Sequence, residues 1–537
     1  MRIEQRGFRS RESGVRSQDS RKNVRPRLII VFLLGALTVT GFAPFHLFPV
    51  PVITLALLFR LWRGSATPLR AALLGFCFGL GLFGAGVSWI YVSLHDFGAM
   101  PLPLAALATF LFCAFLALFP ALVGWMLTKL RLATPAFAHP FASTAWALAA
   151  AALWMLSEWV RGWIFTGFPW LALGYSQGPV SPLAGFAPVA GVYGVSLGLA
   201  LSAAFLCLWF EQGWRTRRAV LSFVLPLVAI FSIGFGLQQI EWTTPQGEPV
   251  TVSLLQGNIP QDLKWQADRV INSMEVYAKL AQQSNSRLII MPETALPLFR
   301  DQASPAYLAR LADHARQNNG DILIGMPEYV PSGSGGEYYN TLFSFGASAD
   351  QHYRKHHLVP FGEFIPLKPV FGWIIHVLQI PLSDFSRGGL DQKPLALAGQ
   401  MVAVNICYED VFGEEIISQL PAATLLVNVS NDAWFGRSIG PQQHLQISQM
   451  RALETGRYML RATNTGVTAI INQRGVVLQE AEAFAVLALH GTAQGYGGAT
   501  PYVRFGNSLA LGLAGLLLLI GLFPVMSAVY RGTRKNL

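Results

Sequence analysis

Residues 401–410, MVAVNICYED, combine an apolar run with a polar turn that carries one cysteine. Short runs rich in Val, Ile and Leu are typical of strands that are buried on both faces. A helix is predicted over residues 411–420, so Cys407 is expected at a strand-to-helix turn. That position exposes the sulfur near a helix N-terminus, which lowers the pKa of a thiol and favours the thiolate. Acidic and polar neighbours disfavour the alternative of an inert buried cysteine, and Cys407 becomes the candidate nucleophile.

The polar half of the chain repeats this alternation of strand and helix. Helical patterns are present at 305–317 and at 440–455. Further buried strands are predicted for four apolar runs, at residues 250–259, 288–291, 322–326 and 423–429. Strands that alternate with helices predict a layered α/β domain, which we place at residues 241–506.

The other three cysteines, Cys77, Cys113 and Cys207, lie inside long apolar runs, where a thiol usually fills space in a packed core. Since Cys407 is the only cysteine of the polar half, no disulfide can form within that half. The sequence also lacks the His and Cys spacing of a zinc site. We predict neither a metal nor another cofactor.

Two further motifs carry titratable groups. Glu293 lies in MPET, residues 291–294, at the end of an apolar strand. A carboxylate between apolar residues is a candidate for a raised pKa and a general-base role, although a solvated acid at a strand end is the simpler alternative. Lys355 lies in YRKHHLVPFGE, residues 353–363, which taken alone could be a solvated basic turn. Its paired histidines are interpreted as structural and not as metal ligands.

The composition is that of a membrane protein. Of the 537 residues only 13% are charged, whereas about 25% is usual in soluble domains. Stretches near the roughly 17–25 apolar residues that span a bilayer occur at about 28–45, 47–62, 71–94, 102–128, 143–160, 187–210, 219–238 and 507–530. We therefore predict a seven-helix transmembrane bundle over residues 28–240 and a C-terminal transmembrane helix over 507–530.

Basic residues predict the orientation. Residues 1–27 hold nine Lys or Arg and three acids, a net charge of +6, and we interpret this arm as a disordered cytoplasmic topology signal and not as a nucleic-acid binding segment. Positive charge recurs after the second, fourth and sixth spans and in the tail 531–537. The intervening loops carry almost none, so both termini are predicted in the cytoplasm and the α/β domain on the opposite side.

Residues 364–385, FIPLKPVFGWIIHVLQIPLSDF, are apolar but interrupted by three prolines. They are interpreted either as a buried core loop or as an amphipathic lid that enters the lipid surface.

Four strings together resemble the nitrilase superfamily, and most closely its membrane branch, the apolipoprotein N-acyltransferases. They are KHHLVPFGEFIP (355–366), ICYED (406–410), SNDAWFG (430–436) and GFPWLALGYSQ (167–177). The resemblance covers nearly the whole chain and implies an α-β-β-α sandwich for the soluble domain. It also implies a catalytic triad of Glu293, Lys355 and Cys407, supported by Glu363, Tyr408, Glu409 and Trp265.

The resemblance implies a multi-pass protein of the bacterial inner membrane with a periplasmic catalytic domain. Its donor would be a phospholipid, and its acceptor the N-terminal amine of diacylglyceryl-cysteine apolipoproteins. Chemistry favours the same donor, because a site outside the cytoplasm has neither ATP nor acyl-CoA and needs an acyl ester already in the membrane. Cys407 would carry the acyl group as a thioester.

Two other functions are compatible with parts of the sequence. A membrane-tethered nitrilase or amidase that hydrolyses a small amide would need the same triad. A transporter with an extracytoplasmic binding domain is disfavoured, because the spans lack the intramembrane charge pairs of an ion or substrate pathway. Glu158 and Arg161, at a span end, are interpreted as interfacial.

Overall fold

The computed structural model describes residues 24–133, 140–212, 216–217, 220–261, 264, 267–332, 335–372 and 384–535. Three of the sequence predictions fall wholly or partly outside these residues. They are the disorder of the arm, the place of Trp265 and the middle half of the proposed lid, residues 373–383. The described part of the lid forms a short helix, Lys368–Phe371, and it buries Ile365 while exposing Leu367.

Long helices coincide with the eight predicted apolar stretches. In chain order they are α1 Val24–Thr38, α2 Pro49–Arg63, α3 Pro68–Gly86, α4 Leu102–Leu132, α5 Pro140–Arg161, α6 Ala187–Gln212, α7 Leu225–Gln238 and the C-terminal helix Ser508–Lys535. Among the described residues, four helical segments are long and apolar enough to cross a membrane, namely Pro68–Gly86, Leu102–Leu132, Pro182–Glu211 and Val220–Gln238. The fold therefore contains an apolar multi-helix bundle, and the number of crossings stays a prediction.

Small residues let the helices of this bundle approach closely. A Cβ atom at Gly35 of α1 would lie 1.9 Å from the carbonyl oxygen of Phe78 in α3, and one at Gly81 of α3 would lie 1.9 Å from that of Phe32. Backbone contact through glycine is how helices associate where lipid removes the hydrophobic driving force. Larger side chains at these two positions would push α1 and α3 apart.

Two six-stranded sheets form the α/β domain. The first has the order β13-β2-β3-β4-β5-β6 and the second the order β12-β11-β10-β9-β8-β7. The strands of the first are β2 Val250–Gln256, β3 Leu288–Ile290, β4 Asp321–Ser332, β5 Gly335–Gly346, β6 Gln351–Arg354 and β13 Leu487–Ala493. Those of the second are β7 Leu395–Leu397, β8 Gln400–Ile406, β9 Leu425–Ser430, β10 Tyr458–Thr463, β11 Ala469–Ile471 and β12 Val477–Glu480. A short pair, β1 Thr244–Pro245 with β14 Tyr496–Gly497, completes the strands that the structure describes.

Helices cover the outer face of each sheet. Apolar side chains of both sheets, such as Leu254 and Val427, form one shared core. Helices α8 (Ala267–Gln282) and α9 (Pro305–Gln317) pack on the first sheet, and α10 (Gly440–Thr455) packs on the second. These layers are the α-β-β-α sandwich that the resemblance implied, and all five predicted buried strands are present.

The predicted helix at 411–420 is replaced by shorter pieces. A 3₁₀ turn covers Cys407–Val411, an α-helical turn covers Gly413–Ile416 and a second 3₁₀ turn covers Ile417–Gln419. Phe412 has φ −105° and ψ 80°, which is not helical and interrupts the run. The strand-to-helix turn at Cys407 itself is confirmed.

Helix α10 also joins the two units of the protein. Gln443 accepts hydrogen bonds from the indole nitrogens of Trp170 (2.8 Å) and Trp89 (3.2 Å), and it donates to the carbonyl of Gly86 (3.0 Å). Glu454 accepts from the backbone N–H of Val192 in α6 (2.6 Å). Polar residues on the side of α10 away from the sheet are therefore buried against the bundle.

The interpretation of Glu158 and Arg161 as interfacial is wrong, because both side chains are buried. Arg161 donates to the carbonyls of Phe168 and Trp170, each at 2.6 Å. Glu158 accepts from the backbone N–H of Leu173 at 3.0 Å. The two charges hold the loop after α5 in the shape that meets α10.

Candidate active site

Glu293 follows β3, and three donors hold its buried carboxylate. Asn340 of β5 donates to one oxygen at 2.7 Å, and the backbone N–H of Asn431 donates to the other at 2.9 Å. Lys355 Nζ lies 3.3 Å from the first oxygen. With so little of its surface exposed, Glu293 is not the solvated strand-end acid of the simpler alternative.

Lys355 lies directly after β6, where its backbone N–H donates to the carbonyl of Asn340 at 2.8 Å. Its side chain is only 1% exposed. The ammonium contacts two carboxylates, Glu363 at 2.9 Å and Glu293 at 3.3 Å. Burial alone would lower the pKa of Lys355, but the two negative charges raise it above its ordinary value. Lys355 is therefore a fixed cation and not a basic turn in solvent.

Cys407 follows β8, and its parallel neighbour β9 leads to Asn431. Because parallel strands end at one edge of a sheet, the thiol lies at the edge from which Asn431 reaches Glu293. Cys407 has φ +54°, a left-handed conformation that costs about 1–3 kcal/mol in a non-glycine residue. Its carbonyl accepts hydrogen bonds from the side chain of Asn428 and lies 3.3 Å from a ring nitrogen of His444.

Both pKa shifts expected from the sequence are wrong in direction. Burial raises the pKa of the Cys407 thiol, and the charge of Glu293 adds to this, while Lys355 only partly opposes it. Burial would also raise the pKa of Glu293, but Lys355, the Asn340 hydrogen bond and Lys264 together hold it below its ordinary value. The resting site thus contains a neutral thiol, a carboxylate and an ammonium.

Glu363 and Glu409 each accept several hydrogen bonds from residues of the site. Glu363 accepts from Lys355, from Asn340 (2.9 Å) and from the backbone N–H of Val359 (2.9 Å). Glu409 accepts from the backbone N–H groups of Ile406 (2.6 Å), His356 (2.6 Å) and His357 (3.0 Å). Burial raises the pKa of Glu409 to about 7 despite these donors. Glu409 thereby ties the segment after Lys355 to the strand before Cys407.

Tyr408 links the site to the helical bundle, since its hydroxyl donates to the carbonyl of Gly167 at 3.0 Å. The neighbouring His357 makes a similar contact, with Nε2 3.0 Å from the carbonyl oxygen of Thr166. Its Nδ1 lies 2.7 Å from Glu415. Both ring nitrogens of His357 therefore have protein partners, as expected for a structural histidine.

Three residues of the site were not predicted from the sequence. Asn340 bridges Glu293 and Glu363, and Asn431 supplies a backbone donor to Glu293. Lys264 is buried with Nζ 3.4 Å from the carbonyl oxygen of Glu293, and burial lowers its pKa to about 8. Two of them could have been found from the sequence motifs, since Lys264 lies beside Trp265 and Asn431 lies inside the string SNDAWFG.

Two family models match this chain, one for each unit of the structure. Residues 34–205 match the family model of the apolipoprotein N-acyltransferase N-terminal domain, and residues 251–490 match that of carbon-nitrogen hydrolases. An apolipoprotein N-acyltransferase of Nitrosomonas europaea is 66% identical over 511 residues, covering 95% of this chain and 99% of the relative. Those of Chromobacterium violaceum and Methylococcus capsulatus are each 45% identical, covering 92% and 90% of this chain and 93% and 94% of the relatives.

Proposed function

This chain belongs to the apolipoprotein N-acyltransferase family, and we propose that it works through a thioester on Cys407, with Glu293 as the base and Lys355 as the oxyanion donor. Family membership makes it an acyltransferase that N-acylates lipoproteins with an acyl chain from a membrane lipid. We propose in addition that the acyl donor is a phospholipid and that the acceptor is the amine of an N-terminal diacylglyceryl-cysteine. The convergence of Glu293, Lys355 and Cys407 on one buried site carries this proposal.

In the first half-reaction Glu293 takes the thiol proton while the sulfur attacks the ester carbonyl of the phospholipid. Because the pKa of the thiol is raised and that of Glu293 is lowered, proton transfer from the resting thiol is uphill, and transfer that accompanies attack avoids a free thiolate. Lys355 and the backbone N–H that follows Cys407 stabilise the oxyanion, and one such donor is typically worth about 3 kcal/mol. The C–O bond then breaks, and the proton on Glu293 passes to the departing lysophospholipid oxygen.

In the second half-reaction the amine of the lipoprotein attacks the thioester carbonyl. Glu293 takes a proton from the amine, the C–S bond breaks, and the proton returns to the sulfur as the amide forms. Water must be kept from the thioester for transfer to exceed hydrolysis. Contacts from the bundle to Tyr408 and His357, beside the site, support a site enclosed by the bundle. These contacts also disfavour a hydrolase that is only tethered to the membrane.

The acyl-enzyme is the species to test. Incubation of the purified protein with phospholipid alone should add the mass of one acyl chain, and peptide mapping should place it on Cys407. Cys407→Ala should insert into the membrane normally but take up no acyl chain. Cys207→Ala, a buried cysteine of α6, is the matched control and should acylate as the wild type does. Acyl transfer to a lipoprotein by Cys407→Ala would contradict the proposal.

We further propose that the α/β domain is periplasmic and both termini cytoplasmic, on the basis of the basic loops. Alkaline phosphatase, which is active only outside the cytoplasm, should be active when fused after Gln246 and inactive when fused after Arg218. The reverse pattern would invert the orientation.

A further inference from the structure

Two side chains that the mechanism does not use converge on the carbonyl oxygen of Cys407. Asn428 of β9 donates to it from Nδ2 at 3.3 Å, and His444 of α10 places Nε2 at 3.3 Å. Both side chains are fully enclosed, with exposures of 0% and 1%. The backbone of the nucleophile is thus held from behind by a polar cluster inside the domain.

The second ring nitrogen of His444 contacts a buried carboxylate. Nδ1 lies 3.0 Å from one carboxylate oxygen of Asp432, and Arg461 donates to the other oxygen at 2.7 Å. Burial would raise the pKa of Asp432, but the charges of Arg461 and His444 hold it well below its usual range. A carboxylate and a peptide carbonyl are both acceptors only. With hydrogen on Nε2, His444 donates to the carbonyl of Cys407.

The planar peptide bond transmits this contact to the reacting atoms. The carbonyl of Cys407 and the N–H of Tyr408 belong to one trans peptide unit and point in opposite directions. Donors that hold the carbonyl from behind therefore fix the direction of that N–H, which the mechanism assigns to the oxyanion. Polarisation along a chain of hydrogen bonds also strengthens the N–H as a donor.

The membrane bundle holds the histidine in place. The ring of His444 packs against the ring of Trp170, with centroids 5.5 Å apart. The preceding residue, Gln443, accepts the hydrogen bond from the same indole. A residue of the bundle thus lies two contacts away from the backbone of the nucleophile.

We propose that His444 is a positioning residue that aims the Tyr408 N–H at the oxyanion by holding the carbonyl of Cys407, with Asn428 as its partner. This inference rests on the proposed Cys407 thioester. It predicts that the loss of this hydrogen bond slows both half-reactions, because each passes through an oxyanion at the same place.

Two substitutions separate positioning from simple packing. In His444→Gln the side-chain amide reaches the position of Nε2 and can still donate to Cys407. In His444→Asn the amide reaches only the position of Nδ1, so it can bond Asp432 but not Cys407. His314→Gln, in the outer helix α9, where Nε2 lies 2.8 Å from the carbonyl of Ser284, is the matched control.

Single-turnover thioester formation with phospholipid is the readout, together with the KM for phospholipid. We expect His444→Asn to lower the maximal rate about 100-fold, as misaligned reacting groups do, with KM little changed. His444→Gln should stay within about tenfold of the wild type, and His314→Gln should match it. Equal losses in His444→Asn and His444→Gln would assign the residue to packing alone, and a wild-type rate in His444→Asn would also overturn the proposal.

Asn428→Asp covers the case in which His444→Asn does not fold. It keeps the oxygen that accepts from Arg461 but removes the amide that donates to Cys407 at 3.3 Å and to Asn405 at 2.6 Å. The proposal requires a slower rate in this variant too, and a wild-type rate would overturn it. Cys407→Ala distinguishes failure of the proposed thioester from failure of the positioning role of His444. Acyl transfer by that variant would refute the thioester itself, whereas an inactive Cys407→Ala beside a fully active His444→Asn would refute only the positioning role.

Discussion

Replacement of Lys355 by methionine tests whether one buried cation serves both stability and catalysis. Methionine keeps most of the length and removes the charge that lies 2.9 Å from Glu363 and 3.3 Å from Glu293. Two carboxylates would then face each other in a site where Lys355 itself is only 1% exposed. Removal of one partner from a buried ion pair costs about 3–5 kcal/mol of folding free energy. Loss of an oxyanion donor lowers the rate about 100- to 1,000-fold.

The two effects can be measured separately. Unfolding in detergent gives the stability, and the two half-reactions give the rates, since thioester formation needs only phospholipid and its decay needs the amine. Lys355→Met should slow both steps. Adding Glu363→Gln removes one of the two uncompensated carboxylates, so the double variant should regain much of the stability and none of the rate.

A double variant that regains the rate along with the stability would refute the oxyanion role, because Lys355 would then matter only for holding the site together. A Lys355→Met protein that forms and transfers the thioester at the wild-type rate would refute it directly. Unchanged stability in Lys355→Met would contradict the reading of the site as a buried ion cluster.

Three further outcomes follow from the site. Glu293→Gln should block thioester formation, and a variant that accumulated thioester normally but failed to pass it on would restrict Glu293 to the amine step. Since the pKa of Glu293 lies below its ordinary value of 4.5, protonation of this base should lower the rate of thioester formation only below about pH 4.5, whereas an acid limb near pH 7 would come from Glu409 and disappear in Glu409→Gln. An acid limb well above pH 4.5 in kcat/KM for phospholipid that persists in Glu409→Gln would be inconsistent with this. Replacing the three other cysteines, Cys77, Cys113 and Cys207, together by alanine should leave acyl transfer largely intact at some loss of thermal stability. An inactive but well-expressed triple variant would show that at least one of these cysteines has a role in catalysis.

The elements that were predicted well are those whose signal is local. Helix α9 has the predicted bounds of 305–317 and α10 those of 440–455, because a repeat of 3.6 residues is written in the sequence itself. Strands β2, β3, β4, β8 and β9 lie within or beside the predicted apolar runs for the same reason. The helix predicted after Cys407 is interrupted because Phe412, which looks compatible with a helix, adopts a non-helical conformation there.

Features that depend on contacts between separate segments of the chain were missed or predicted wrongly. Helix α10 has one apolar stripe in sequence, yet it is buried nearly all round because the bundle covers its polar side. Glu158 and Arg161 look interfacial at a helix end, but the loop after α5 folds back and encloses them. In each case the partner comes from a part of the chain that spacing does not identify.

The sequence by itself determined the apolar stretches, the order of strands and helices, and the residue types that can perform acyl transfer. These follow from hydrophobic periodicity and from short motifs, which require only near neighbours along the chain. Only the tertiary structure decided the protonation states and the division of labour among the charges. Lys355 is shared between Glu293 and Glu363, and Cys407 is a neutral thiol held by Asn428 and His444. The pKa of a group depends on its burial and on charges a few ångströms away, and those distances exist only after residues up to 62 positions apart have been brought together.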